Sequence, residues 1–201
     1  MDQQVTAVLA SYHQRMQDER EGRFPEGPAG RDQHLLPVGP ESGQLINILA
    51  RSLKAPNILE IGTSYGYSGI WLAEAARAAG GKVTTLELQD YKIAYAREMA
   101  DKAGLGDYIE FQQGDALELI ARMPAGIDFV LLDLWKDLYI PCLDAFLPKL
   151  NPGAMIVADN IIYPGGDDVR RYSKAVRATP GMTSILVPVG AGLEISRYEP
   201  G

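Results

Sequence analysis

The chain predicts an α/β protein with a three-layer, mostly parallel sheet that ends in an antiparallel hairpin. Two observations carry this expectation. From residue 57 onward, short apolar runs of strand length alternate with stretches of helical periodicity. That is the pattern of βα units, whose right-handed crossovers build parallel sheets. The final two runs, 182–188 and 192–198, are separated only by residues 189–191. So short a link cannot make a parallel crossover, and the two runs are expected to pair antiparallel.

Taken in order, Val5, Val8, Leu9, Tyr12 and Met16 recur at helical spacing, which predicts an amphipathic helix over 4–19. Residues 20–40 are rich in proline and glycine and read as a loop too long to be a mere connector. A helix is expected over 41–54 with Leu45, Ile48, Leu49 and Leu53 turned inward. Strands are expected at 57–61, 82–87, 108–112, 127–132 and 154–158, each followed by a helix: 67–79, 90–103, 115–122, 139–149 and 167–178. With the hairpin this makes a seven-stranded sheet. Residues 1–201 read as one domain, with a helix and lid-like loop over 1–40 and an α/β core over 57–201.

The composition, 46% hydrophobic and 22% charged over 201 residues, is that of an ordinary globular domain with a core large enough to fold alone. A net charge of −7 argues against nucleic-acid and membrane-surface partners, whose usual footprint is a basic face. No apolar run approaches the ~18–20 residues of a membrane helix. The N-terminal segment lacks the basic and apolar regions of a signal peptide, so the expected location is cytoplasmic. The single cysteine, Cys142, precedes Leu143 and Phe146 and reads as a packed core thiol.

Chemistry concentrates just past two strand-length runs. Asp133-Leu134-Trp135-Lys136-Asp137 follows IDFVLL, and Asp159-Asn160 follows AMIVA. Ligands of open α/β sheets gather at the carboxyl ends of the strands. Two carboxylates, an amide oxygen and an amine would therefore share one crevice. Carboxylate and amide oxygens suit a hard cation such as Mg²⁺, and a cation beside an amine disfavours its ammonium form. The combination points to metal-assisted activation of a hydroxyl. At the first strand, Glu60-Ile61-Gly62 leads into Tyr65-Gly66-Tyr67-Ser68. The spacing G-x-x-x-G matches neither the dinucleotide nor the P-loop pattern. It suits either a nucleoside site or a plain strand–helix turn. Glu87, ending the second strand, stands where an acid accepts hydrogen bonds from ribose hydroxyls; a carboxylate at the cap or first turn of the next helix is the competing reading, although Asp90 could already serve there. Asp115, after the third strand, stands where an adenine edge would bind, and equally where it would cap the next helix.

These segments resemble a known family. ILEIGTSYGYSGIWLAE (58–74), Glu87 and GDA (114–116) resemble the class I S-adenosylmethionine-dependent methyltransferases, which share a Rossmann-like fold. LLDLWKDLYIPC (131–142), VADNIIYPG (157–165) and GLEISRY (192–198) narrow the match to the metal-dependent catechol O-methyltransferases. The resemblance implies S-adenosylmethionine held by Val38, Glu60, Gly62, Tyr65, Gly66, Ser68, Glu87, Asp115, Ala116, Asp133 and Trp135. It implies Mg²⁺ or another divalent cation on Asp133, Asp159 and Asn160, with Lys136 as general base. Leu36, Trp135, Lys136, Asn160, Pro164 and Glu194 would contact a catechol-like substrate. Glu194 would hold its second hydroxyl; an exposed strand carboxylate is the competing reading.

Departures from the pattern are His34 in place of a wall tryptophan, Leu134 in place of a polar residue and an aromatic shifted by one at Ser64-Tyr65. The function implied is methyl transfer to a catechol-like hydroxyl. The alternatives are transfer to phenylpropanoid CoA esters, for which Arg20, Arg23 and Arg31 are suitably basic, and a non-catalytic nucleoside-binding module. Homodimers occur in the family, so a homodimer is compatible with the resemblance. His13, away from every motif, reads as surface polarity.

Overall fold

The structure is a computed structural model that describes residues 1–23 and 33–201. Much of the loop expected over 20–40 lies outside the described residues. The chain order is α1 (Gln3–Arg20), α2 (Pro40–Arg51), β1 (Asn57–Ile61), α3 (Tyr67–Ala79), β2 (Lys82–Glu87), α4 (Asp90–Lys102) and β3 (Ile109–Gln113). There follow α5 (Ala116–Arg122), β4 (Ile127–Leu132), α6 (Tyr139–Phe146), β5 (Leu150–Ala158), α7 (Asp167–Ala178), β6 (Met182–Val187) and β7 (Leu193–Tyr198). One sheet holds all seven strands in the order β3-β2-β1-β4-β5-β7-β6. Among the described strands β7 alone points against the rest of the sheet, pairing antiparallel with β5 and with β6.

Side chains alternate across the sheet, and each face is buried under its own helices. Ile58, Phe129 and Leu131 face a core with α1–α4; Leu59, Val130 and Leu132 face a second core with α5–α7. A strand buried on both faces has no polar side to show, hence the unbroken apolar run IDFVLL. Cys142 is a fully buried free thiol in the second core, and burial pushes it up to about 12.

Two elements differ from expectation. β5 begins earlier, at Leu150, which pairs with Ile127; residues 151–154 then bulge opposite Asp128, shifting the register between Ile127 and Phe129. Helix α2 is rotated: Ser42, Gly43, Ile46, Asn47 and Ala50 are buried, while Ile48 is exposed and Leu45, Leu49 and Leu53 are only half-buried. Small residues let α2 approach α3 closely, and a Cβ at Gly43 would collide with the Trp71 indole. Asn47 then donates to the Trp71 carbonyl (2.8 Å) and to Glu74 (2.6 Å). Close packing with a satisfied buried amide outweighs burial of the larger aliphatic face.

Candidate active site

Strand order reverses between β1 and β4, and ligands of such sheets bind at that switch point. Gly62 follows β1 with φ 106°, and a Cβ there would strike the Asp133 carbonyl oxygen. Only glycine lets the two strand ends come this close. Gly66, with φ 86°, opens α3; a Cβ there would meet the Ala96 methyl at 2.7 Å. Ser68 lies buried in the first turn, where α3 has no side-chain cap.

Glu87 ties this loop to β2. Its Oε2 accepts from the Ser64 amide (2.8 Å), and its Oε1 from the amides of Leu88 (2.9 Å) and Gln89 (3.0 Å). Three amides thus orient the carboxylate and use three of its roughly four lone-pair sites, leaving one open. Glu60 lies beneath, with no exposed surface. Its Oε2 accepts from Thr85 Oγ1 (2.6 Å), and its Oε1 has no partner. Burial raises it from 4.5 to about 7, against the Ser68 and Thr85 hydrogen bonds; the Asp133 and Glu87 charges add to the rise.

The Tyr65 ring is buried between α1 and α4, edge-on to Tyr95, with the Arg15 guanidinium 4.4 Å above it. Asp115 caps α5, accepting from the amides of Leu117 (2.9 Å) and Glu118 (3.1 Å), and Ala116 is that helix's first residue. Val38 is buried, and Leu36 is exposed with φ 44°.

The polar cluster forms at the ends of β4 and β5. Lys136 Nζ donates to Asp133 Oδ1 (3.1 Å), Asn160 Oδ1 (2.5 Å) and the Tyr139 hydroxyl (2.8 Å). Tyr139 in turn donates to the Asp159 carbonyl (3.0 Å). Asn160 adopts φ 62° and its amide donates to the Tyr163 carbonyl (3.2 Å). Asp159 is buried and its Oδ1 has no partner. Burial first, then the charge of Asp133, pushes Asp159 up to about 7, against the Asn160 amide and Lys136. Burial raises Asp133 too, with Lys136 opposing. Two carboxylates pushed together with too few donors are a donor set that a divalent cation fits. Among the described residues no three His, Cys, Asp or Glu gather at one point, so such a cation would rest on two carboxylates and an amide.

Trp135 and Tyr163 stand exposed beside this cluster, and Pro164 follows a cis bond. Glu194 is not the exposed carboxylate of the competing reading. It is fully buried, with Arg177 donating from Nε (2.7 Å) and Nη2 (2.9 Å), and Ser184 donating to Oε1. His13 is half-buried and lies 2.9 Å from the Tyr67 hydroxyl. Sequence reasoning missed Tyr139. Its only signal was position, one helical turn after Lys136 on an apolar segment.

The profile of the family described as O-methyltransferase matches residues 29–197. The chain belongs to that family. It is 35% identical over 134 residues to the catechol O-methyltransferase of Niastella koreensis, covering 65% of this chain and 60% of that protein. The chain thus spans about three fifths of this curated relative's length. It is 27% identical over 187 residues to the caffeoyl-CoA O-methyltransferase of Petroselinum crispum, covering 82% and 77%. The crystal structure of the O-methyltransferase TomG of Streptomyces achromogenes, in complex with SAM, superposes with a TM-score of 0.75 at 27% identity, covering 99% of this chain and 91% of that one.

Proposed function

We propose that the protein transfers a methyl group from S-adenosylmethionine to one hydroxyl of a catechol-like small molecule. The observation that carries this reading is the Lys136 amine, within hydrogen-bond distance of Asp133 and of Asn160, whose chain neighbour Asp159 holds a buried oxygen without a partner. S-adenosylmethionine would supply an electrophilic sulfonium methyl, and a divalent cation would lower the pKa of an attached phenol. Glu87 would hold the ribose, and Gly62, Gly66 and Ser68 would line the approach of the amino-acid end to α3. Asp115 and Ala116 would meet the adenine edge, with Leu36 and Val38 covering. Asp133, Asp159 and Asn160 would hold the cation, Mg²⁺ being the hard-ion choice for oxygen donors.

Lys136 would act as the neutral amine, the form a neighbouring cation favours over the ammonium that donates to Asp133, Asn160 and Tyr139. It would take the hydroxyl proton as the oxygen bonds to the methyl carbon and the carbon–sulfur bond breaks toward sulfur. Trp135 and Pro164 flank the aromatic ring. Holding both reactants in line supplies much of the acceleration. Glu194 Oε2 accepts only from Arg177, but the side chain has no exposed surface, so for it to bind the second hydroxyl the packing around it must open.

A second reading, transfer to phenylpropanoid CoA esters, draws on the longer match to the caffeoyl-CoA enzyme. Methyl transfer from labelled S-adenosylmethionine, offered catechol or caffeoyl-CoA, tests both. Excess chelator should abolish transfer and Mg²⁺ restore it. Full activity in chelator removes the cation from the reading, and labelling of caffeoyl-CoA alone selects the second substrate class.

A further inference from the structure

Helix α1 contributes nothing to the reaction proposed above, yet it carries an almost buried ion pair. The side chains of Arg15 and Glu19 are 14% and 10% exposed, with Nε to Oε1 at 3.0 Å. A pair so far from water is costly unless its remaining donors and acceptors are used. Here they are used on the backbone of a different segment. Arg15 Nη2 donates to the Gln33 carbonyl (2.8 Å), and the Leu35 amide donates to both oxygens of Glu19 (3.1 and 3.2 Å). His34 Nδ1 lies 3.6 Å from Glu19 Oε2.

The same helix also grips the glycine loop. Tyr12 donates to the Tyr65 carbonyl (2.6 Å), and the Arg15 guanidinium covers the Tyr65 ring. Ser64 closes the circuit, its hydroxyl donating to the Leu35 carbonyl (3.3 Å) and its amide to Glu87 (2.8 Å). Two residues in this circuit hold a left-handed backbone that glycine would favour: Leu36 (φ 44°) and Ser64 (φ 46°). Such conformations persist only where the surroundings over-determine them.

We propose that Arg15 and Glu19 are positioning residues of the cofactor site. They hold the strap 33–38 and the glycine loop in one fixed relation, so that Leu36 and Val38 meet the cofactor without an ordering cost at binding. This rests on the S-adenosylmethionine reading above. Neither residue touches the cluster at Lys136, so their loss should be felt in cofactor affinity and not in the chemical step.

The test is calorimetric titration of S-adenosylmethionine into the parent, Arg15→Met, Glu19→Gln and the double variant. Turnover at saturating cofactor and hydrogen exchange over 33–38 and 62–66 complete it. We expect each single variant to bind about 5–30-fold more weakly, with kcat at saturation changed less than about twofold. The double variant should be little worse than the poorer single one, because both act through one network. Arg15→Lys should recover part of the affinity, since it keeps a donor for Gln33 but loses the planar contact with Tyr65. Exchange should quicken in both segments together. Should Arg15→Met lose cooperative folding, Glu19→Gln, which keeps the shape of the side chain, decides by the same criterion. Tight binding by parent and variants alike overturns the clamp alone. A parent that binds no S-adenosylmethionine overturns the function reading as well.

Discussion

The two halves of the candidate site are held by different kinds of bond. In the glycine-loop half, side chains grip backbone: Glu87 holds the Ser64 amide, Tyr12 the Tyr65 carbonyl, and Glu19 the Leu35 amide. In the lysine half the centre is side chain on side chain, Lys136 reaching an aspartate, an asparagine and a tyrosine, with backbone gripped only at its edge by Tyr139 and Asn160. Backbone gripped on several sides gives a fixed shape, suited to binding a large ligand that does not itself change. Side-chain clusters leave charges incompletely paired, as the bare Asp159 Oδ1 shows. That arrangement is unfavourable to stability, and its charges remain available for chemistry. The difference predicts that changes in the first half alter affinity or folding, while changes in the second alter turnover.

The largest expected effect is in the lysine half. Lys136→Met should lower kcat on the order of 10²–10⁴-fold, the usual loss for a general base, with cofactor affinity nearly unchanged. A more acidic catechol should narrow the gap, because its hydroxyl needs less help to ionise. Measurement of kcat for two catechols of different acidity checks this. Equal turnover of parent and variant on a weakly acidic catechol would break the comparison, leaving Lys136 as one more structural contact.

The next effect belongs to the glycine-loop half and should appear in stability. Glu60 is fully buried, its carboxyl raised from 4.5 to about 7 mainly by burial. A carboxyl that holds its proton more tightly when folded contributes stability that is complete below about pH 4.5 and lost as pH rises through about 7. That interval corresponds to roughly 3 kcal/mol. Glu60→Gln keeps the acceptor for Thr85 and removes the charge. It should therefore be more stable than the parent at pH 8 by up to about 3 kcal/mol, the gap closing toward pH 4.5. Urea denaturation at both pH values reads this directly. A gap independent of pH would show that folding does not shift the Glu60 carboxyl, which would then titrate alike in the folded and unfolded chain.

How far the sequence reveals these halves depends on the range of the contacts. Strands buried on both faces advertise themselves as apolar runs, so β1 and β4 fall at the expected residues, and the shorter alternation of KVTTLE places β2 as well. The clustering of Asp133, Lys136, Asp159 and Asn160 also follows from topology alone, since strand ends of a parallel sheet converge. The packed face of α2 was hidden because counting large aliphatic residues favours Ile48, whereas close approach favours Gly43 and Ala50. The surroundings of Glu194 were hidden for another reason. Its partner Arg177 comes from α7, and strand periodicity gives a side chain's face without saying what packs against it. The α1 clamp spans dozens of residues and uses backbone acceptors, which carry no residue-type signal at all.

The smallest expected effect sharpens the comparison most, because it concerns a residue that touches the chemistry only through another. Tyr139 is fully buried, edge-on to Tyr172 with ring centroids 5.3 Å apart, so its hydroxyl is held in place by packing. That hydroxyl accepts from Lys136 (2.8 Å) and donates to the Asp159 carbonyl (3.0 Å), coupling the amine to the end of β5. Tyr139→Phe keeps the ring and deletes the link. The loss of one hydrogen bond sets the scale, about 1 kcal/mol in stability and up to about tenfold in kcat. If Tyr139 acts by aiming Lys136, the substitution should do almost nothing further to kcat once Lys136 is already methionine, because residues that act as a unit are not additive. Independent action through the Asp159 carbonyl would instead lower kcat by the same factor in both backgrounds. The four-enzyme cycle of kcat values separates the two. Additivity there would mean that the lysine half, like the glycine-loop half, depends on a grip on the backbone.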